Sequence, residues 1–249
     1  TMDAVLLFSG QGAQKVGMGK DLYDQYPVAK ALIEQADKAL GESLSAVMFE
    51  GPGEELTRTC NCQPALYVHG LACLAVLKEL VPSLNPVAAA GLSLGEFTAH
   101  AAAGTYSFEE GLRLVQKRGA FMEEACNATK GTMAAMIGGT DENVIKLAQE
   151  CDVDVANFNC PGQTVVSGTE EGVAKAVAGA KAAGCKIAKK LNVAGAYHSR
   201  LMHSAMVKLA EELKNISFGT PSMPVYCNYE ARVVEGPDDI RSMLEHQVC

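Results

Sequence analysis

Apolar and polar residues alternate along this chain in two rhythms. Short Val/Leu/Ile-rich runs bounded by glycine or proline predict strands, and longer stretches with apolar residues every three or four positions predict helices. Residues 4–8 form such a run, closed by Ser9-Gly10-Gln11-Gly12, and predict a buried strand feeding a glycine-rich loop. Residues 27–40 place Leu32, Ile33, Ala36 and Leu40 on one face ahead of Gly41, the pattern of an amphipathic helix with a glycine stop. Residues 64–81 are apolar nearly all round, which predicts a buried helix opening at Pro64. Residues 88–103 join the two rhythms: an apolar run, then Gly91-Leu92-Ser93-Leu94-Gly95, then an alanine-rich stretch stopped by Gly104. That order predicts a strand, a sharp turn and a helix, with Ser93 at the apex and its hydroxyl lifted clear of the sheet. Gly91 and Gly95 belong where the two backbones come too close for a side chain.

Ser107-Phe108-Glu109-Glu110 is a capping box that opens a helix to about Cys126. The pattern then changes character. Strands are expected over 133–137, 153–158, 164–167 and 186–191, with helices over 142–150 and 171–183. The order β-α-β-β-α-β is that of a ferredoxin-like unit, so residues 129–195 are read as a small inserted subdomain. Residues 1–128 and 196–249 are read as one large subdomain, with a helix over 200–214, a strand over 224–229 and a helix over 238–248. Alternating strands and helices there predict an α/β fold with a mostly parallel sheet covered on both faces.

Composition narrows the classes. A chain of 249 residues that is 48% hydrophobic and 20% charged is that of a soluble globular protein with room for a large core. A net charge of -8 argues against nucleic acid, which needs a basic face. Lys186, Lys189 and Lys190, with Lys175 and Lys181 upstream, read equally as a solvated strand edge or as a docking patch for an acidic partner. No uninterrupted apolar run is long enough to cross a bilayer, and the first residues open directly into a core strand, so the expectation is a cytoplasmic protein with no membrane contact. Nine cysteines, an odd number, in a chain this large suggest reduced thiols. Cys60-Asn61-Cys62 with His69 nearby has no second pair, so no metal site is expected. The Gly10-Gln11-Gly12 loop lacks the third glycine of a dinucleotide fingerprint and the lysine of a phosphate loop. Its glycines instead leave the Gln11 amide open to a ligand.

A serine nucleophile needs a base in hydrogen-bond reach, and the chain has five histidines. His100 lies seven residues along the helix from Ser93, roughly 10 Å away, and reads as a buried helical residue. His69 sits in the apolar helix, and His203 and His246 on amphipathic helices read as surface or boundary residues. His198, in the loop Gly195-Ala196-Tyr197-His198-Ser199 where the chain returns from the insertion, is the favoured base. Spacing alone leaves Arg118 at the surface. It also leaves the group that orients the histidine open: Asp141, Asp152 and Asp154 fall in the insertion, a backbone or amide oxygen would serve, and Gln247 is one source.

Taken together, Gly10-Gln11-Gly12, Gln63-Pro64-Ala65-Leu66, Gly91-Leu92-Ser93-Leu94-Gly95-Glu96, Arg118-Gly119, Asn157-Phe158-Asn159 with Pro161-Gly162-Gln163, and Gly195-Ala196-Tyr197-His198-Ser199 occur in the order and spacing of malonyl-CoA:acyl carrier protein transacylases. The chain resembles that family along its whole length, and the acyltransferase domains of polyketide synthases share most of the motifs. The resemblance implies an α/β-hydrolase-like large subdomain with a ferredoxin-like small one, and a malonyl-serine mechanism. Ser93 would be the nucleophile and His198 its base, with Arg118 holding the malonyl carboxylate. The Gln11 and Leu94 amides would form the oxyanion hole, and the Gln247 carbonyl would orient the histidine. Gln63, Asn157 and Asn159 would support these groups. The implied partners are malonyl-CoA and acyl carrier protein, whose phosphopantetheine is carried by the partner; no bound cofactor and a monomeric state are implied. Two departures stand out. Leu92 replaces a histidine that commonly precedes the nucleophile, and family members continue past the position of Gln247, implying more of the large subdomain beyond Cys249. A serine esterase or thioesterase is the rival enzyme class, and a non-catalytic binding module leaves Ser93, His198 and Arg118 without a purpose.

Overall fold

The computed structural model describes residues 1–249 and divides into two compact units, Thr1–Ala120 with Leu209–Gln247, and Phe121–Lys208 with Val248–Cys249. The first unit is built on two parallel strands, β1 (Met2–Phe8) and β2 (Leu84–Gly91), paired from Met2 opposite Leu84 to Phe8 opposite Gly91. Between them run α1 (Lys20–Gln25), α2 (Pro27–Leu40), α3 (Leu44–Glu50), α4 (Gly53–Thr57) and α5 (Thr59–Leu80). Strand β2 turns at Ser93 into α6 (Leu94–Ala102), and α7 (Phe108–Ala128) follows. The capping box forms as expected: the Glu110 amide donates to Ser107 Oγ at 3.1 Å.

Four expectations for this unit are corrected. Helix α5 starts at Thr59 rather than Pro64, taking the proline inside it at the loss of one backbone bond. With 22 residues it is also the one helix long and apolar enough to cross a bilayer, contrary to the expectation of none; 61% of its most apolar window is buried inside the protein, as in a core helix. The run over 224–229 does not form a continuous strand. It makes single parallel pairing at Val225 with Ala89 and a bridge from Tyr226 to Val233, because the chain turns away at Asn228. Finally, β1 is covered on one face only: Leu6 is buried, whereas Val5 and Leu7 are 57% and 77% exposed. Helix α6 packs on the covered side, which is why residue parity decides burial along the strand.

In the second unit, β3 (Gly131–Ile137), β4 (Asp154–Cys160), β5 (Gln163–Thr169) and β6 (Ile187–Lys190) form an antiparallel sheet in the order β4-β5-β3-β6. Helices α8 (Asp141–Glu150) and α9 (Glu170–Gly179) follow β3 and β5 and pack on one face. This is the ferredoxin-like arrangement read from the element order. Met136, Val144, Leu147, Val166 and Val173 make its core. Thr140 and Thr169 cap the two helices through hydroxyls that accept from the Asn143 and Gly172 amides. A short 3-10 turn, Arg200–Met202, leads into α10 (His203–Lys214), and α11 (Pro237–His246) closes the first unit.

The β2–α6 turn shows its constraint in numbers. A Cβ on Gly95 would stand 2.3 Å from the Phe8 carbonyl oxygen, and one on Gly91 would stand 2.0 Å from the Gly95 carbonyl carbon. Both obstacles are backbone and cannot rotate away. G95A is therefore expected to destabilise the protein by about 2 kcal/mol or more, read as a lower midpoint in urea unfolding at unchanged m-value.

Candidate active site

Ser93 sits half-buried at φ 53° and ψ -106°, a conformation that disfavours any residue other than glycine. Such a position persists only when its surroundings over-determine it. Here both polar groups of the Ser93 backbone are held. Its N–H donates to Asn228 Oδ1 at 2.7 Å, and its carbonyl accepts from Gln247 Nε2 at 3.0 Å and from the Glu96 amide at 3.1 Å. Asn228 also spans the turn, donating from Nδ2 to the Gly91 carbonyl at 2.7 Å.

Arg118 meets the serine from α7. Its Nη2 donates to Ser93 Oγ at 3.0 Å and to Gln247 Oε1 at 2.7 Å, and its Nη1 donates to Gln63 Oε1 at 2.7 Å. The guanidinium lies over the Phe97 ring at 5.0 Å. At 1% exposure, Arg118 is not the surface residue that spacing alone indicates. A charge this deep is tolerable because oxygen acceptors and an aromatic face replace its water. Gln63, on α5, and Gln247, just past α11, are likewise buried. The Gln247 amide has one workable orientation, since its oxygen faces guanidinium donors and its nitrogen faces two acceptors.

Glu96, one turn along α6 from Ser93, completes this cluster, fully buried. Its Oε1 accepts from the Asn228 amide at 3.0 Å and from Gln247 Nε2 at 3.1 Å, while Oε2 is buried with no hydrogen-bond partner. Neither Glu96 nor Asn228 was assigned a role from sequence. An acidic residue inside an alanine-rich apolar helix is the one local signal that could have found Glu96; nothing local marks Asn228.

Other expected site residues are placed as follows. Leu94 opens α6, where an amide has no intrahelical acceptor. Gln11 lies in the turn after β1, and a Cβ on the preceding Gly10 would come within 2.5 Å of the Leu92 carbonyl oxygen, so this loop runs against the Ser93 turn. Leu92 itself is 51% exposed. The second unit holds His198, Asn157 and Asn159. His198 is half-buried in a turn at φ 56°. Its loop is fixed by Ser199, whose hydroxyl donates to the Ala196 carbonyl at 2.6 Å, and by Arg200, which pairs with Asp154 at 2.7 Å and Asp152 at 2.8 Å. Asn157 and Asn159 lie on the edge strand β4, half-buried and exposed respectively.

His100 is fully buried, as its spacing predicts, and accepts or donates at Nδ1 to the Thr105 hydroxyl at 2.9 Å. Burial holds its imidazole down to about 4 and lifts the Glu96 carboxyl to about 7, the latter against the pull of the Asn228 amide, the Gln247 amide and the Arg118 charge. An acid raised in the folded state supports the fold fully at low pH and loses that support as pH rises toward 7; a base lowered in the folded state loses it as pH falls. The stability advantage of the wild type over E96Q is therefore expected to shrink, by on the order of 3 kcal/mol, between pH 4.5 and 7.5. Urea unfolding of both proteins across that range checks it, and a difference that does not vary with pH would contradict it.

Comparison with known proteins places this geometry. Residues 5–245 match the model of a family described as the acyl transferase domain. The malonyl CoA-acyl carrier protein transacylase of Bacillus subtilis (strain 168) is 44% identical over 247 residues, which cover 97% of this chain and 77% of that one. The solved malonyl CoA-acyl carrier protein transacylase of Coxiella burnetii superposes with a TM-score of 0.93 at 36% identity, covering 98% of this chain and 78% of that one. A solved complex of a type II polyketide synthase acyl-carrier protein with its malonyl-transacylase gives a TM-score of 0.93 at 36% identity, covering 100% of this chain and 81% of the other. The match spans residues 5–245, a stretch that holds the Ser93 turn, Arg118 and the His198 loop, and the chain belongs to the acyl transferase domain family.

Proposed function

We propose that this chain transfers the malonyl group of malonyl-CoA to the phosphopantetheine thiol of acyl carrier protein through a malonyl ester on Ser93, supplying fatty acid synthesis. The observation that carries this reading is the buried Arg118 guanidinium donating to Ser93 Oγ at 3.0 Å. A permanent positive charge beside a nucleophile suits an acyl group whose own carboxylate lies one methylene from the carbon attacked. The family match and the transacylases among its relatives point the same way.

In the first half-reaction His198 takes the Ser93 proton as Oγ attacks the thioester carbon. The Gln11 and Leu94 amides receive the developing oxyanion, and loss of one such donor typically raises the barrier by about 3 kcal/mol. The carbon–sulfur bond breaks, the proton passes from His198 to the departing thiolate, and coenzyme A leaves. In the second, His198 deprotonates the phosphopantetheine thiol, whose sulfur attacks the ester carbon; the carbon–oxygen bond to Ser93 breaks, His198 returns the proton to Ser93 Oγ, and the malonyl group leaves on the carrier thioester. The carbonyl of Gln247 orients the imidazole in this reading, while its side chain steadies Arg118. Gln63 holds the other guanidinium nitrogen. Asn157 and Asn159 support the His198 side of the site. The residues provide acid–base chemistry, charge and amide donors, so the reaction proceeds without a bound cofactor. The same reading places the protein in the cytoplasm, where nine free thiols stay reduced, and takes it as a monomer with a small insertion over residues 129–195.

Two outcomes test it. Mixing with malonyl-CoA should leave a malonyl adduct on Ser93, by mass spectrometry, that is discharged onto holo acyl carrier protein; release as free malonate instead would indicate an esterase or thioesterase. R118A should lower kcat/KM for malonyl transfer by about 100-fold, from the loss of charge-assisted bonds, while acetyl transfer changes little. Equal losses for both acyl groups would remove Arg118 from carboxylate binding.

A further inference from the structure

The acyl-transfer reading uses Ser93, His198, Arg118 and two amides, and leaves Glu96 without work. Yet Glu96 is fully buried in the same cluster, and one of its oxygens is shared by two donors. Those donors, the Asn228 backbone amide and the Gln247 side-chain amide, belong to the two residues whose side chains hold Ser93. Asn228 accepts from the Ser93 N–H, and Gln247 donates to the Ser93 carbonyl. Both come from the C-terminal segment, 135 and 154 residues from the serine. We propose that Glu96 is the positioning residue of the nucleophile: its Oε1 anchors Asn228 and Gln247, and these two grip the Ser93 N–H and carbonyl respectively.

Geometry sets the requirements. Asn228 reaches Glu96 through its backbone amide, which leaves its side chain free to bridge Ser93 and Gly91. Gln247 reaches it through Nε2, which turns Oε1 toward Arg118. One acceptor atom thus fixes the turn that aims Ser93 Oγ and the orientation of the amide that holds Arg118. What the clamp requires of residue 96 is an oxygen at that place. A glutamine supplies one at the same reach; an aspartate, one methylene shorter, keeps the charge but withdraws the oxygen. The unpartnered Oε2 fits this division of labour, because the second oxygen is not used.

This inference rests on Ser93 being the acylated nucleophile, and the experiment separates the two. Single-turnover formation of malonyl-Ser93 is followed in wild type, E96Q, E96D, E96A and N228A, together with KM for malonyl-CoA. E96D and E96A are expected to slow acylation 30- to 100-fold with KM within threefold of wild type, and E96Q to slow it no more than about fivefold. A purely structural carboxyl would not show this rescue by length over charge. N228A, which keeps its backbone bond to Glu96 but loses its hold on Ser93, is expected to fall about tenfold at similar KM, and decides the matter if E96D and E96A do not fold. Wild-type acylation rates in E96D or N228A, or an E96Q as slow as E96A, would overturn the clamp while leaving the acyl-transfer reading intact. A wild type that forms no adduct on Ser93 would instead overturn that reading.

Discussion

A strand and a helix that meet within backbone contact distance govern this site. At Gly91 and Gly95 no side chain fits, and the residue between them, Ser93, is driven to positive φ. Strain of this kind costs of order 1–3 kcal/mol and relaxes unless the flanking structure prevents it. Parallel pairing of β1 with β2, the loop at Gly10 lying against Leu92, and the Asn228 and Gln247 bonds to the Ser93 peptide together prevent it. The serine keeps its position because three separate parts of the chain hold the turn closed.

The second constraint is electrostatic. Burying Arg118 and Glu96 in one cluster would be costly for either alone. The guanidinium is surrounded by the Gln63, Gln247 and Ser93 oxygens and by the Phe97 ring, while Glu96 faces amide donors rather than the guanidinium directly. The two charges are thus coupled through the neutral amide of Gln247. The neutral oxygens of Gln63, Gln247 and Ser93 hold the guanidinium at the serine hydroxyl.

The second unit shows the same economy on a different scaffold. Its sheet packs one face against two helices, and the loop bearing His198 is held at its end by the Arg200 pairs with Asp152 and Asp154 and by the Ser199 hydroxyl. His198 sits on this loop at positive φ, a backbone conformation that persists only where its surroundings hold it.

Local pattern was enough for much of this. The Gly-x-Ser-x-Gly turn, the capping box at Ser107 and the β-α-β-β-α-β order are written in short-range periodicity and in residues with special backbone freedom, so the sequence determined them by itself. So was the burial of His100, which follows from helical spacing. Arg118 was not legible from spacing, because an arginine on a helix is buried only if acceptors arrive from elsewhere, here from residues 55 and 129 positions away. The run at 224–229 has a strand's composition but ends in a bridge and a turn, since its partner, Ala89, and its exit at Asn228 are set by the packing of the first unit. Val5 and Leu7 match the buried pattern and are exposed, because coverage of a strand face belongs to neighbours and not to the strand. Asn228 and Glu96 acquired their place only when the chain closed on itself: a hydrogen bond between groups 132 residues apart has no trace in either local sequence, and tertiary structure alone decides it.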